Sequence, residues 1–275
     1  MRKNSTSVRL MSSPYIIWAA IFIIVPLGMV FYYGLTDKSG AFTIENVLAI
    51  AQYEHLKGLF LALGLSLIST IICIILAFPL ALILNSMKAN AHSFIVFIFI
   101  LPMWMNFLLR TLAWQNLLEN NGVINSILSM MGFSGLKLIN NSGAIILGMV
   151  YNFLPFMILP IYNSISKIDQ NVINAARDLG ADQIQVFNRI IVPLTVPGII
   201  SGTTMVFIPA LTTFVISKLL GGSKILLIGN IIEEEFTQAA NWHLGSGLSI
   251  VLMIFIIISM VISNIFDKEG ESNFI

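Results

Sequence analysis

His55, His92 and His243 are the histidines of this chain, and they stand too far apart in sequence to form a His-Glu-x-x-His metal helix. Cys73 is the single cysteine, set in the apolar run Ile71-Ile72-Cys73-Ile74. A buried, inert thiol is expected there, and no disulfide within the chain is possible. There is no Gly-x-x-x-x-Gly-Lys loop to cradle a nucleotide phosphate, so this chain should neither hydrolyse ATP nor carry a cofactor. No Asp or Glu falls inside a long apolar segment, which argues against the intramembrane carboxylate relay of a proton-coupled carrier. What remains is polar chemistry of contact: a stretch from Asp169 to Pro193, and an unusually polar apolar segment around Arg110.

The elements that must position these residues are membrane spans. Hydrophobic residues make up 57% of the chain, charged residues 10%, and the mean hydropathy is +0.92. A soluble domain carries about 25% charged residues. The formal net charge of +1 implies no nucleic-acid partner. About 20 apolar residues cross the hydrocarbon core as a helix, because lipid leaves unpaired backbone amides no other partner. Six segments qualify: 14–35, 59–84, 94–117, 144–166, 194–219 and 247–265. Arg2, Lys3 and Arg9 before the first run mimic a signal peptide, but the run from Tyr15 to Tyr33 is too long for one and no cleavage site follows. An uncleaved first span is expected. No tandem repeat or linker is visible, so residues 1–275 read as one all-α membrane domain.

With six spans, both termini share a side. Arg2, Lys3, Arg9, Lys88, Lys167, Arg177, Arg189 and Lys268 fall on that side, against Lys38, Lys57, Lys137 and Lys224 on the other. The positive-inside rule makes the termini cytoplasmic. The outer loops at 36–58, 118–143 and 220–246 hold Asp37, Glu45, Glu54, Glu119 and Glu233-Glu234-Glu235. This bias suits a cation, a binding-protein surface or a merely solvated loop.

Between Asp169 and Ile191 the period changes. Val172, Ala175, Ala176 and Leu179, then Ile184, Phe187 and Ile191, mark apolar helix faces. Gly180 lies between them, where a tight reversal costs least, and Pro193 is expected to stop the second helix before the next span. Two short amphipathic helices with a bend are predicted at the inner face. The pattern alone fits a docking knuckle and an interfacial helix equally.

The third apolar segment carries Trp104, Asn106, Arg110 and Trp114. Asn106 and Arg110 are four apart and predicted to share a helix face. An arginine lining a path for a cation would be counterproductive, so Arg110 is expected to meet an acid or snorkel outward. Trp104 and Trp114 read as interfacial belt or pathway wall. Tyr151, Asn152 and Thr212 are further lining candidates, with helix–helix hydrogen bonding as the other use.

The spacing Asn174-Ala175-Ala176-Arg177-Asp178-Leu179-Gly180, followed by Ile190-Ile191-Val192-Pro193, resembles the signature of ABC importer permeases: Glu-Ala-Ala, three residues, Gly, nine residues, Ile-x-Leu-Pro. Asn174 stands where Glu is usual and Val192 where Leu is usual. The resemblance extends through Leu101-Pro102-Met103-Trp104, Leu109-Arg110-Thr111-Leu112-Ala113-Trp114, Asn121-Gly122-Val123-Ile124-Asn125, Pro193-Leu194-Thr195-Val196-Pro197-Gly198-Ile199, Gly221-Gly222-Ser223-Lys224 and Leu226-Leu227-Ile228-Gly229-Asn230. The chain is similar to permeases of the spermidine/putrescine importer type within the type I, MetI-like family. The resemblance implies six spans with a cytoplasmic coupling segment at 169–193. It implies a second homologous permease, ATPase subunits that bind ATP and magnesium, and an external binding protein. It also implies coupling roles for Asn174, Ala175, Ala176, Arg177, Asp178, Gly180 and Pro193 in the bacterial cell membrane. A permease for another small solute, a secondary carrier and a passive channel are the rival readings.

Overall fold

Apolar runs this long bury their backbone amides only by coiling, and the described residues are helical almost throughout. The computed structural model describes residues 14–87 and 103–272. In chain order its principal helices are α1 (Pro14–Gly34), α2 (Tyr53–Ser86), α3 (Phe107–Leu118), α4 (Val123–Met130) and α5 (Ser142–Ser166). They continue as α6 (Gln170–Asp178), α7 (Gln183–Thr212), α8 (Ile228–Thr237) and α9 (Trp242–Ser272). An isolated bridge between Thr36 and Phe42 is the one β pairing among the described residues. Helices α1, α2, α5 and α7, with the Trp242–Ile265 part of α9, are long and apolar enough to cross a membrane. Lys88, His92 and the 94–102 part of the third predicted span lie outside the described residues, as do Arg2, Lys3 and Arg9.

Three predicted boundaries are corrected. Helix α2 begins at Tyr53, so Glu54, His55 and Lys57 ride on it rather than in a loop; His55 Nδ1 sits 2.6 Å from the Ala49 carbonyl and ties the helix start to the preceding turn. The third predicted span is interrupted: α3 starts only at Phe107, because the Asn106 carboxamide accepts the Leu108 and Leu109 amides at 2.9 and 3.2 Å and caps a new helix. Asn106 is therefore a cap, not a helical neighbour of Arg110. The fifth predicted span ends early, at Thr212, and a π-helical turn follows at Ser217–Gly221.

The chain divides into two compact units. One joins α1 and the segment up to Leu56 with Ile231–Phe255. In it Gly34 lets α9 approach closely, since a Cβ there would lie 2.5 Å from Ile250 Cδ1 and 3.2 Å from the Gly247 amide nitrogen. The second unit spans Lys57–Asn230 and Ile256–Ile275. Its centre is the α5–α7 pair. A Cβ on Gly202 would stand 2.6 Å from Met157 Sδ, and one on Gly198 would strike Ser164 and the Pro160 carbonyl. Small residues thus set the helix separation, as in membrane packing generally. Met157, Ile158, Ile161, Val206 and Leu211 fill the contact and are almost wholly buried. Cys73 is buried here, as its apolar run implies.

Candidate functional site: the α5–α7 knuckle

Two spans deliver the 169–193 segment, and local side chains give it its shape. Asp169 caps α6 by accepting the Asn171 amide at 2.9 Å. The helix ends in a Schellman turn: the Ala181 amide donates to the Ala176 carbonyl at 3.0 Å and the Gly180 amide to the Arg177 carbonyl at 2.9 Å. Gly180 closes it with φ +87°, a conformation that costs an L-residue about 1–2 kcal/mol. Asp182 then opens α7 with a capping box, accepting from the Gln185 amide at 2.7 Å while Gln185 Oε1 accepts from the Asp182 amide at 3.2 Å. The reversal is accomplished with its exposed amides bonded.

Two buried side chains, Ile173 and Val186, root the segment, and Phe187 meets Phe78 of α2 edge to face at 5.5 Å between ring centroids. Outside, Ala175, Arg177, Asp178 and Gly180 are exposed and Ala176 is half-buried. Leu179 is 89% exposed, Ile184 70% and Val172 47%. Asn174 is exposed as well. The predicted apolar face exists, and most of it is turned away from the protein.

The expected helix stop at Pro193 is corrected. Helix α7 runs unbroken through it, preceded by a π-helical turn at Phe187–Ile191. The Val192 amide donates to the Phe187 carbonyl, five residues back. This wider turn absorbs the missing proline N–H, so the helix continues where an α-helical register would lose a bond. The second short helix is consequently the first turns of α7.

The pathway candidates scatter. Trp104 is 78% exposed, ahead of the Asn106 cap. Trp114 meets Tyr151 edge to face at 5.3 Å, and Phe107 stacks with Phe153 at 6.4 Å, so α3 lies on α5. Asn152, between those two aromatic positions, is buried; its Nδ2 donates to the Gly148 carbonyl at 2.9 Å and its Oδ1 has no partner among the described residues. Arg110 lies one turn from both Phe107 and Trp114. It neither snorkels nor meets an acid: it is 7% exposed, and Nε and Nη1 have no hydrogen-bond partner among the described residues. The short α3, starting at Phe107, holds its first turns against α5 instead of letting the side chain extend outward. Thr212 returns its hydroxyl to the Ile208 carbonyl at 3.1 Å, within its own helix.

One residue to which no role was assigned organises the end of α7. Asn230 Nδ2 donates to the Phe214 carbonyl at 3.0 Å, while its Oδ1 accepts from the Ser217 hydroxyl and from the Leu227 amide at 3.2 Å. Its place in the quoted Leu226–Asn230 stretch is the only signal the sequence offers.

The family model for binding-protein-dependent transport system inner membrane components matches residues 58–269. The chain belongs to that family. It is 37% identical over 245 residues to the spermidine/putrescine transport system permease protein PotB of Haemophilus influenzae, covering 86% of each chain. It is 34% identical over 266 residues to the protein of the same name from Escherichia coli, covering 92% of this chain and 97% of that one. Among solved structures, a chain of a bacterial ABC transporter involved in import of the acidic polysaccharide alginate superposes with a TM-score of 0.79 at 19% identity, covering 96% and 95%. A chain of the MetNI methionine ABC transporter, inward facing, gives 0.56 at 19% identity over 78% and 95%. The fold is that of the ABC importer permeases: an all-helical, multi-pass inner-membrane protein.

Proposed function

We propose that this chain is the permease subunit of an ATP-driven importer for polyamines. The observation that carries the coupling role is the knuckle: a short, doubly capped reversal, rooted on α2 and continuous with α7, presenting small and apolar side chains outward. Such a surface fits an apolar groove on an ATPase subunit. Asn174, Ala175, Ala176, Arg177, Asp178, Gly180 and Pro193 would make or shape that contact. ATP and magnesium would bind in the ATPase, so this chain carries no cofactor and performs no hydrolysis. Closure of two ATPases would push the knuckle, and the unbroken π-to-α helix would pass the displacement into α7. Both ends of such an element must bias the same equilibrium for coupling to occur.

The whole chain would act as one permease domain with its termini in the cytoplasm. A second homologous permease would complete the path, and an external binding protein would deliver the solute. The relatives named as spermidine/putrescine permeases support a polyamine, and the acidic outer loops suit a polycation. Trp104, Asn106, Trp114, Tyr151, Asn152 and Thr212 were the lining candidates. The Trp114–Tyr151 pair is the one we retain, because aromatic faces attract ammonium groups.

The test is uptake of labelled spermidine into vesicles carrying the reconstituted subunits, with and without ATP. ATP-dependent uptake that disappears in Gly180→Pro supports the reading. Substrate-stimulated ATPase activity with another solute and none with spermidine would keep the importer and discard the polyamine. ATP-independent flux unaffected by the substitution would make the chain a carrier or channel.

A further inference from the structure

A second site lies where α1 ends and α9 begins. The apolar span of α1 closes at Gly34 and that of α9 opens at Trp242. Between those ends lies an open cavity of about 540 Å³ lined by Met29, Tyr33, Lys38, Asn241, Trp242 and His243, with Ala239 and Ala240 at its rim. Its position along both spans is the level at which lipid headgroups sit, and Tyr and Trp are the residues that favour that level.

Among the described residues the lining offers four unpartnered donors. The Tyr33 hydroxyl, the Trp242 indole N–H, the Asn241 side-chain Nδ2 and the Lys38 ammonium have no hydrogen-bond acceptor among the described residues. No carboxylate lines the cavity. Asp37, next to Lys38 in sequence, is engaged in its own turn: its Oδ1 accepts from the Ser39 amide at 2.8 Å, the Ser39 hydroxyl at 2.6 Å and the Ala41 amide at 2.9 Å. Glu233 takes the Thr237 hydroxyl.

The cavity is also built rather than incidental. His243 Nδ1 lies 2.6 Å from the Thr36 carbonyl and 3.0 Å from the Tyr33 carbonyl. Both partners are acceptors, so Nδ1 carries the hydrogen and the ring pins the end of α1. Asn46 holds the same carbonyl of Thr36 at 3.0 Å. Trp242 is held between Tyr33 at 6.1 Å and Phe236 at 5.6 Å, ring centroid to centroid. The turn that delivers it runs through Ala240 at φ 50°, with the Asn241 amide donating to the Glu235 carbonyl at 2.8 Å.

We propose that this cavity binds the phosphodiester of an anionic phospholipid, with Lys38 as the counter-charge. Asn241 and Trp242 donate to the phosphate oxygens. Met29 and Tyr33, one turn apart on a helix whose apolar side chains are exposed along its length, carry the upper acyl chain. A headgroup without an amine is favoured, because an ammonium would face Lys38 in a cavity that no carboxylate lines. A polyamine is excluded on the same ground. The inference rests on the membrane spans alone and is independent of the transported solute.

The experiment is native mass spectrometry of the protein purified with its co-purifying subunits, equilibrated with phosphatidylglycerol, with phosphatidylethanolamine, or with soluble glycerol 1-phosphate. Lys38 is exposed, so its replacement leaves the fold intact. The expected result is selective retention of phosphatidylglycerol that falls about tenfold in Lys38→Glu, the loss of one charge-assisted contact, and is kept in Lys38→Arg. Equal retention in Lys38→Glu overturns the proposal, as does equal retention of phosphatidylethanolamine. Displacement by glycerol 1-phosphate would make the site one for a soluble phosphate. Unchanged lipid with weakened capture of the binding protein in Lys38→Glu would make it a protein-facing surface.

Discussion

Around Gly180 the turn amides are bonded and the apolar side chains stand in the open; at Arg110 the side chain is buried, and Nε and Nη1 have no hydrogen-bond partner among the described residues. The two regions leave opposite things unfinished. The knuckle has settled its backbone and its shape, and lacks only an apolar surface to cover Leu179 and Ile184. The α3–α5 contact has settled its packing through Phe107, Trp114, Tyr151 and Phe153, and among the described residues it offers no acceptor to Arg110 Nε and Nη1 and no donor to Asn152 Oδ1. Exposed apolar side chains in water cost little structural order, so a rigid docking element can persist alone. A buried charge without acceptors is costly. In the proposed coupling the first region would act as a fixed lever, and the second would be the place where a rearrangement of helices gains the most.

The largest effect should come from breaking the lever. Gly180→Pro cannot adopt φ +87° and should abolish ATP-driven uptake while the protein still inserts. Gly180→Ala, which meets nothing within 4 Å, should cost only the backbone term of about 1–2 kcal/mol, leaving reduced but measurable uptake. Equal uptake in the proline variant and the wild type would contradict the docking role. Next in size, Arg110→Met removes the orphaned donors and should raise the thermal stability of the purified protein by roughly 1–3 kcal/mol. A loss of stability instead would show that Arg110 has found acceptors in the assembled complex.

Smaller again is Phe187→Leu, which keeps bulk but loses the edge-to-face pair with Phe78, worth about 0.5–1.5 kcal/mol. ATPase stimulation by substrate should fall while basal hydrolysis stays. Asn174→Glu restores the usual charge on an exposed surface. An exposed ion pair contributes about 0.2–1 kcal/mol, so uptake should rise less than about fivefold and the gain should fade in high salt. The smallest effect concerns Asp37, whose carboxyl lies below its ordinary value of 3.8 because the Ser39 hydroxyl and then the Ala41 amide donate to it. Its folded-state value is the lower one, so the 37–41 turn is fully supported above about pH 4 and loosens as the pH falls through the folded value. The protection factor of the Ala41 amide should fall only in that acid range, and Asp37→Asn should lower it at neutral pH.

Much of the scaffold is readable from composition and spacing. Long apolar runs have one way to satisfy their amides in lipid, so five of the six predicted spans recur as continuous helices, some longer than predicted and two ending sooner. The Asp169 and Asp182 caps and the Gly180 reversal are local grammar, decided by residues within a few positions of one another. The misplaced features are those in which a local signal was overridden. Pro193 looks like a stop, yet a π-helical turn just before it removes the conflict. Asn106 looks like a helical neighbour of Arg110, yet its carboxamide does more for the free amides of Leu108 and Leu109 than it would in mid-helix.

The sequence by itself determined that the chain is a bundle of membrane helices and that the 169–193 segment is a polar, amphipathic interruption between two of them. These follow from side-chain solvation and from short-range hydrogen bonding, which act between near neighbours. Only the tertiary structure decided which face of the knuckle is rooted and which is presented, that Arg110 is enclosed, that Asn230 holds the break after α7, and that Lys38 faces a cavity built from both α1 and α9. Those outcomes depend on contacts between residues far apart in the chain, such as Phe78 with Phe187 and Tyr33 with Trp242, and periodicity carries no record of which distant partner a face will meet.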